Sequence, residues 1–497
     1  MNRLVLSLIL AVLLAGCASE PEGDTSPSTP HLTTSRLTVE GTRIHDALGR
    51  EVILRGINTG GSSKVPPFMP FAFQEAGLEG HGDAPPFAEA VEIYAARLAD
   101  WGFNVARVPF TWEAVEPVRG EYDEVFLTRY EALIDALGRH GVRTIVDFHQ
   151  DVFARPFCGD GFPLWAILDP IEDELGYACH QWFLGYLDET GPVRAAYQHF
   201  WDNDDGLRDA FRAMWRHVAE RLWTEEGALM GEGTVIGFEI INEPFNGTAQ
   251  TNDVFAQEVL PAFYEEVIAE IRAVAPEALI FFDSTGLDAT SQVTALVPPT
   301  GPGLVFAPHF YDGLIFLSGT WNPDTDYVER MGNWRSLGDD WSVPVLVGEF
   351  GIKRVSADAN AYLDRNYAAI DHHLVHATHW EYSTAPVDWN DEGMSVTLPD
   401  GTESGLVAAM VRAYPRAVAG KITSFTYDPT TRTGTLVYGA RAGETTEIVA
   451  PLRLYPDGDL EVTIQGSEGA WNYDAQVIYV TPESAVEVTV VFAPGPA

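Results

Sequence analysis

Eight short apolar runs rich in β-branched residues alternate with helix-period segments over residues 52–380, and after residue 418 the helical period stops and short alternating segments replace it. The alternation predicts an α/β fold with a parallel sheet, and eight units predict a (β/α)8 TIM barrel. The later texture predicts a small C-terminal β-sandwich. Two of the runs also end in a carboxylate, at Asn242-Glu243-Pro244 and at Gly348-Glu349-Phe350-Gly351. The carboxyl end of a buried barrel strand is where such folds carry chemistry.

Residues 37–54 read as a hairpin with a turn at 46–49, leading into a first barrel strand, Arg55-Gly56-Ile57-Asn58. The loop at 60–80 carries Lys64 and an apolar run over 65–73, which suits either core filling or a hydrophobic binding surface. A helix at 87–99 precedes strand 103–109, which contains Arg107. A helix at 123–140 precedes strand 142–147, which runs on into Phe148-His149-Gln150-Asp151. A long insertion holding Cys158 and Cys179 follows, then a helix at 207–222, strand 235–242 and a helix at 254–274. Strands 278–283 and 304–307 come next, the latter running on into Pro308-His309-Phe310-Tyr311. A helix at 326–337, strand 343–348, a helix at 361–373 and strand 377–380 complete the barrel. Residues 421–492 have the period of two expected of a sandwich. The domain reading is therefore 1–17 signal, 18–36 linker, 37–415 barrel with its hairpin, and 416–497 sandwich.

The 497 residues exceed one ordinary domain and suit a large barrel plus a smaller unit. Their formal net charge is −42, from 72 acidic and 30 basic side chains, so the surface repels phosphate backbones and anionic headgroups. Nucleic acid is excluded as a partner, as is electrostatic docking to anionic lipid. Aromatics make up 11% of the chain, with 13 Trp, which fits a sugar-stacking cleft.

Residues 1–17 read as an export signal: Arg3, an apolar core over 4–14, then Leu14-Ala15-Gly16-Cys17. The core is too short to span a bilayer. The last four residues resemble a bacterial lipobox, which would make Cys17 the lipid-modified first residue of the mature chain. Ordinary cleavage with full secretion is the other reading. Residues 18–36, rich in Ser, Thr and Pro, form a disordered tether. Export to the cell surface or beyond makes Cys158 and Cys179 disulfide partners.

A lone buried Glu is costly, and two at separate strand ends would be an odd structural choice. Paired carboxyls, one protonated and one ionised, are the working parts of glycoside hydrolysis. Arg107, His149, Asn242, Glu243, His309, Tyr311, Glu349 and Trp380 stand at the ends of strands two, three, four, six, seven and eight. That order of residue types resembles the family-five glycoside hydrolases. Ile53-Leu54-Arg55-Gly56-Ile57-Asn58-Thr59, Lys64, Phe148-His149-Gln150-Asp151-Val152, Asn242-Glu243-Pro244-Phe245, Gly348-Glu349-Phe350-Gly351 and Tyr414-Pro415-Arg416-Ala417-Val418-Ala419-Gly420 are similar to the endoglycoceramidases, which release intact glycan from glycosphingolipids.

The resemblance implies a retaining enzyme with Glu243 as acid/base and Glu349 as nucleophile. Lys64, His149, Asp151, Asn242, Tyr311 and Trp380 would meet the sugars at the reducing end. Arg107 can hold the nucleophile ionised, and His149 and His309 suit either substrate contact or a structural hydrogen bond in the barrel mouth. Glu239 reads as structural. No cofactor is implied. His149, Asp151 and His309 match no tight ligand spacing, so no metal is expected. The insertion with Cys158 and Cys179 lies outside the family pattern.

Two rivals stay open: a β-glucanase or mannanase of the same broad family, and a non-catalytic carbohydrate-binding surface lipoprotein. Apolar segments after strands one and six, 65–73 and 314–317, favour the ceramide reading, because together they would line a groove on the catalytic face. The expected partner is a glycosphingolipid, with membrane contact limited to the lipid anchor and the substrate, and the enzyme is expected to be a monomer.

Overall fold

The computed structural model describes residues 36–75, 83–171, 175–223 and 234–495. The expected signal with Cys17, and the expected linker as far as residue 35, lie outside these. Eight parallel strands form one sheet: Arg55–Asn58, Val105–Phe110, Arg143–Phe148, Val235–Glu239, Leu279–Phe282, Leu304–Phe306, Leu346–Val347 and His376–His379. Strand eight pairs with strand one, and a parallel bridge from Phe306 to Val345 closes the cylinder between strands six and seven. The strands are buried along their whole length, which is why they read as continuous apolar runs. Helices Phe87–Asp100, Glu124–Arg139, Leu207–Leu222, Leu260–Val274, Tyr327–Trp341 and Ala359–His373 surround the barrel. Asp123 starts the second of these by accepting from the N–H groups of Val125 and Phe126. Between strands five and six the described chain makes only the single turn Asp288–Ser291, where most other connections carry a full helix.

Inside the barrel, Val105, Ile145, Ile236, Leu279, Phe281, Val305 and Leu346 form an apolar layer below the site. Leu37, Ile44 and Val52, from the N-terminal strands, belong to the same cluster and plug the lower end.

Those N-terminal strands sit differently from the expected division at residue 415. Thr38–Glu40, Arg43–His45 and Glu51–Val52 pair in series, and Val52 then pairs with Ala417 of strand Tyr414–Val418. They thereby extend a seven-stranded antiparallel sheet of the C-terminal unit. The physical reason is an edge: Glu51–Val52 would present unpaired backbone groups, and the returning chain covers them. Glu51 also accepts from the Ile422 N–H at 2.9 Å, and Arg50 reaches Glu447 at 2.8 Å. A four-stranded sheet of Gly420–Asp428, Thr433–Ala440, Glu487–Pro494 and Leu460–Gln465 packs on the larger sheet. Phe425, Leu436, Val488, Val490 and Phe492 from the smaller sheet meet Ile448, Ile478 and Val480 from the larger in a separate core, giving the expected sandwich.

Cys158 and Cys179 are joined by a disulfide. No helix among the described residues is long and apolar enough to cross a membrane.

Candidate active site

The site is built on a change of register. Thr144 pairs with Val235, but Ile145 pairs with Gly237, so strand four carries one extra residue at Ile236. Below this bulge Ile236 faces the apolar interior; above it the alternation is reset and Glu239 faces inward. Arg107 on strand two and Asp147 on strand three point to the same place, and all three side chains are fully buried. The strand ends at Glu239, and Glu243 takes a φ of 40°, a backbone region few non-glycine residues enter. Leaving the pleat in this way lets Asn242 and Glu243 both face the site, which a regular strand would forbid.

The Arg107 guanidinium organises the floor. It donates from Nε and Nη2 to both oxygens of Glu239 at 2.8 and 2.9 Å, and from Nη2 to Asn242 Oδ1 at 2.9 Å. Its Nη1 donates to Glu349 Oε1 at 2.8 Å and to Asn58 Oδ1 at 3.0 Å. Tyr311 donates its hydroxyl to the other Glu349 oxygen at 3.0 Å. Glu349 is thus oriented through both oxygens, with a side chain 8% exposed. Glu239 serves as the structural partner of Arg107.

Glu243 is held differently. Its N–H donates to Asp283 Oδ2 at 3.1 Å, and its Oε1 lies 2.7 Å from His309 Nδ1. Burial, with the Asp151 charge adding to it, raises the Glu243 carboxyl to about 8. Burial also lowers the His309 imidazole to about 4. Between those values the pair is a protonated carboxyl beside a neutral imidazole, which share one hydrogen bond in either tautomer. One carboxyl oxygen of Glu243 and one of Glu349 lie within 4.8 Å of each other.

A second group lines one side. Lys64 Nζ is 2.6 Å from Asp151 Oδ2, and lies 3.9 and 4.5 Å from the ring centroids of Trp389 and Trp380. Burial alone would raise the Asp151 carboxyl, but Lys64 and His149 outweigh it and carry it down to about 2. Burial and Lys64 oppose a proton on His149, yet its hydrogen bond to Asp147 at 2.9 Å and the Asp151 carboxylate 3.5 Å from Nε2 carry it up to about 10. The His149 ring stacks 5.2 Å from Trp380, and Trp380 Nε1 donates to Glu392 Oε2 at 3.0 Å. Lys64, Arg107, His149, Asp151, Asn242, Glu243, His309, Tyr311, Glu349 and Trp380 therefore form one connected site.

Several residues of that site carried no sequence argument of their own. Asn58 and Asp147 are polar residues at or near the ends of barrel strands, the same signal that identified the others. Trp389 and Glu392 sit in a loop after strand eight with no periodicity to flag them. Among the described residues three carboxylate–histidine groups have the spacing to hold a metal, one of them Glu239, Asp283 and His309. His149, Asp151 and Asp160 gather within 4.8 Å, with Lys64 supplying the cation at Asp151. Glu243, His309 and Glu349 also gather, and Arg107 and Tyr311 occupy Glu349.

Beside Glu243 opens a groove of about 250 Å³, lined by Trp182, Phe183, Tyr186, Leu187, Phe245, Leu287, Phe316 and Leu317. The segment at 314–317 contributes as expected; the one at 65–73 does not. Met69, Phe71 and Phe73 are buried in the barrel core, with Phe71 5.2 Å from Tyr94 and Phe73 5.1 Å from Phe87. Phe68 packs edge-on against Phe126. Its place in the groove is taken by Trp182 and Phe183, just after Cys179 in the insertion.

Comparison with known proteins agrees with this geometry. The family model described as cellulase (glycosyl hydrolase family 5) matches residues 68–386, and that of the glycoside hydrolase family 5 C-terminal domain matches residues 412–491. The chain is 26% identical over 487 residues to endoglycoceramidase I of Rhodococcus hoagii, covering 93% of this chain and 89% of that one. Endo-glycoceramidase II from a Rhodococcus species, solved with ganglioside GM3, superposes with a TM-score of 0.72 at 26% identity over 92% of this chain and all of that one. The same enzyme solved as a lactosyl-enzyme intermediate gives 0.70 at 27% identity, over 93% of this chain and all of that one.

Proposed function

The chain belongs to glycoside hydrolase family 5, and on that premise we propose that it is a retaining endo-β-glycosidase that hydrolyses the bond between oligosaccharide and ceramide in glycosphingolipids. The observation that carries the reading is the junction at Glu243. Its carboxyl lies beside Glu349 in the polar site on one side and lines a groove walled by apolar side chains on the other.

The spacing of the two carboxyls fits retention. A retaining pair stands about 5–5.5 Å apart, while an inverting pair needs about 6.5–9.5 Å to admit water. Glu349, oriented by Arg107 and Tyr311, attacks the anomeric carbon. Glu243 gives its proton to the glycosidic oxygen, and ceramide leaves as the alcohol. Water then enters, gives its proton to Glu243, and displaces Glu349 to release the glycan with its original anomeric configuration. Asn242, fixed by Arg107, can accept or donate at the sugar 2-hydroxyl, where contacts strengthen in the transition state. Lys64, His149, Asp151 and Trp380 stand where the glycan's reducing-end sugars would bind.

The sign of the pH response follows from Glu243. Below about 8 its carboxyl holds the proton that the leaving group needs. As pH rises through that value the acid form is lost, so kcat/KM for a glycolipid should fall about tenfold per pH unit. An aryl glycoside with a good leaving group needs little protonation, so its alkaline limb should be shallower. Identical alkaline limbs for the two substrates would contradict this role.

The groove makes a second prediction. Each methylene removed from water is worth about 0.8 kcal/mol, so five contribute about 4 kcal/mol, or about 1000-fold if expressed in the transition state. A ceramide-linked glycan should therefore be cleaved far faster than the same glycan on a methyl aglycone, measured in one detergent. Phe316→Asp should erase most of that difference. Equal kcat/KM for the two aglycones, or faster cleavage of plain β-glucan, would leave a glycosidase but not this one.

The same proposal places the enzyme outside the cytoplasm as a monomer, either tethered through Cys17 or freely secreted. The export-like residues 1–17 support it, as does the disulfide, which suits an oxidising compartment.

A further inference from the structure

The disulfide lies between the two halves of the cleft. On the glycan side, Trp389 covers the Lys64 ammonium at 3.9 Å, and its neighbour Asn390 donates to the Cys158 carbonyl at 2.7 Å. On the other side, Trp182 donates its N–H to the Cys179 carbonyl at 3.0 Å and places its ring 5.4 Å from Trp389. Trp182 and Phe183 each pack against Phe316, with ring centroids 6.4 Å apart, and the three line the groove together. One covalent bond thus joins the loop behind Trp389 to the turn that carries Trp182 and Phe183. Cys179 itself is exposed and the turn Cys179–Gln181 has no buried residue, so apolar packing of this segment begins only at Trp182.

We propose that the Cys158–Cys179 disulfide is a positioning element for leaving-group selection: it holds Trp182 and Phe183 upright as the groove wall, and so sets how strongly a lipid aglycone is preferred over a small one. The inference rests on the glycolipid reading of the groove. It makes Cys158 and Cys179 positioning residues, since neither lines the groove. Glu243 is reached by a separate route: Gln150 donates to the carbonyls of Asn242 and Glu243, and Tyr186 is held by the Val152 N–H at 2.8 Å. Loss of the brace should therefore loosen the wall and leave the carboxyls in place.

The test compares wild type with the double variant Cys158→Ser/Cys179→Ser, on lactosylceramide in micelles and on 2,4-dinitrophenyl β-lactoside, well below either protein's melting temperature. The expected result is a loss of at least about tenfold in kcat/KM on lactosylceramide, carried mainly by KM, with the aryl lactoside unchanged within about twofold. Equal losses on both substrates would reduce the bond to a general stabiliser and overturn the proposal, as would no loss on either. If the double variant does not fold, the comparison is made on wild-type enzyme before and after mild reduction, with free thiols counted by labelling. Reduced enzyme that keeps its full lipid preference overturns the proposal equally. Oxidised wild type that shows no lipid preference at all instead overturns the glycolipid reading, so the two failures are distinct.

Discussion

Glu349→Gln is expected to lose at least about 1000-fold in kcat/KM on every glycoside, activated or not, equivalent to about 4 kcal/mol of transition-state stabilisation. The amide keeps the shape and its carbonyl oxygen can still accept from Arg107 Nη1, but an NH2 replaces the oxygen that accepts from Tyr311, and the amide cannot form the glycosyl ester. It also leaves Arg107 with one carboxylate fewer. That ion still has Glu239 on two donors and Asp147 at 3.1 Å, so the barrel floor should survive the change. Circular dichroism and melting temperature close to wild type, together with lost turnover, separate a missing nucleophile from a collapsed site. Near-normal activity of this variant would remove Glu349 from the chemistry.

The second large effect divides by substrate. Glu243→Ala should lose about 100- to 10,000-fold on a glycolipid, the range expected when a positioned general acid is removed. On a dinitrophenyl glycoside the first step needs no proton, so the glycosyl-enzyme should still form and then persist, because the base for the attacking water is also gone. A burst of dinitrophenol followed by slow turnover is the expected trace. Azide, which needs no general base, should restore turnover and yield the β-glycosyl azide. An α-configured azide product, or no rescue on any activated substrate, would contradict the assignment. The variant also removes the partner of His309 Nδ1 at 2.7 Å, so His309→Ala makes a useful companion.

The barrel and its polar mouth were legible because both rest on short-range patterns. Strands buried on both faces give apolar runs, interrupted within strand two by Arg107 and beyond the carboxyl ends of others by His149, Asn242, Glu243, His309, Tyr311 and Glu349. What could not be read depends on distant pairing or backbone geometry. Val52 lies opposite Ala417, and no local pattern couples two residues so far apart in the chain. The bulge at Ile236 and the φ of 40° at Glu243 decide where three side chains point, yet both are properties of the folded backbone. The two apolar loops look equally suitable for a groove in sequence. Phe71 and Phe73 instead pack against helix Phe87–Asp100, while Phe316 packs edge-on against Trp182 and lines the groove. Trp182 and Phe183 were hidden by lying in an insertion with no period. The disulfide, expected from export alone, links two ends of that insertion.

The most direct test of the central claim is product analysis on a natural-type substrate. Purified enzyme is incubated with lactosylceramide and with ganglioside GM3 in detergent micelles, and early products are resolved by mass spectrometry and by proton NMR of the anomeric signal. The account predicts intact oligosaccharide and free ceramide in equal amounts from the first turnover, with the glycan released as the β-anomer before mutarotation. Stepwise loss of single sugars from the outer end, release of the α-anomer first, or no ceramide while β-glucan is degraded would contradict it.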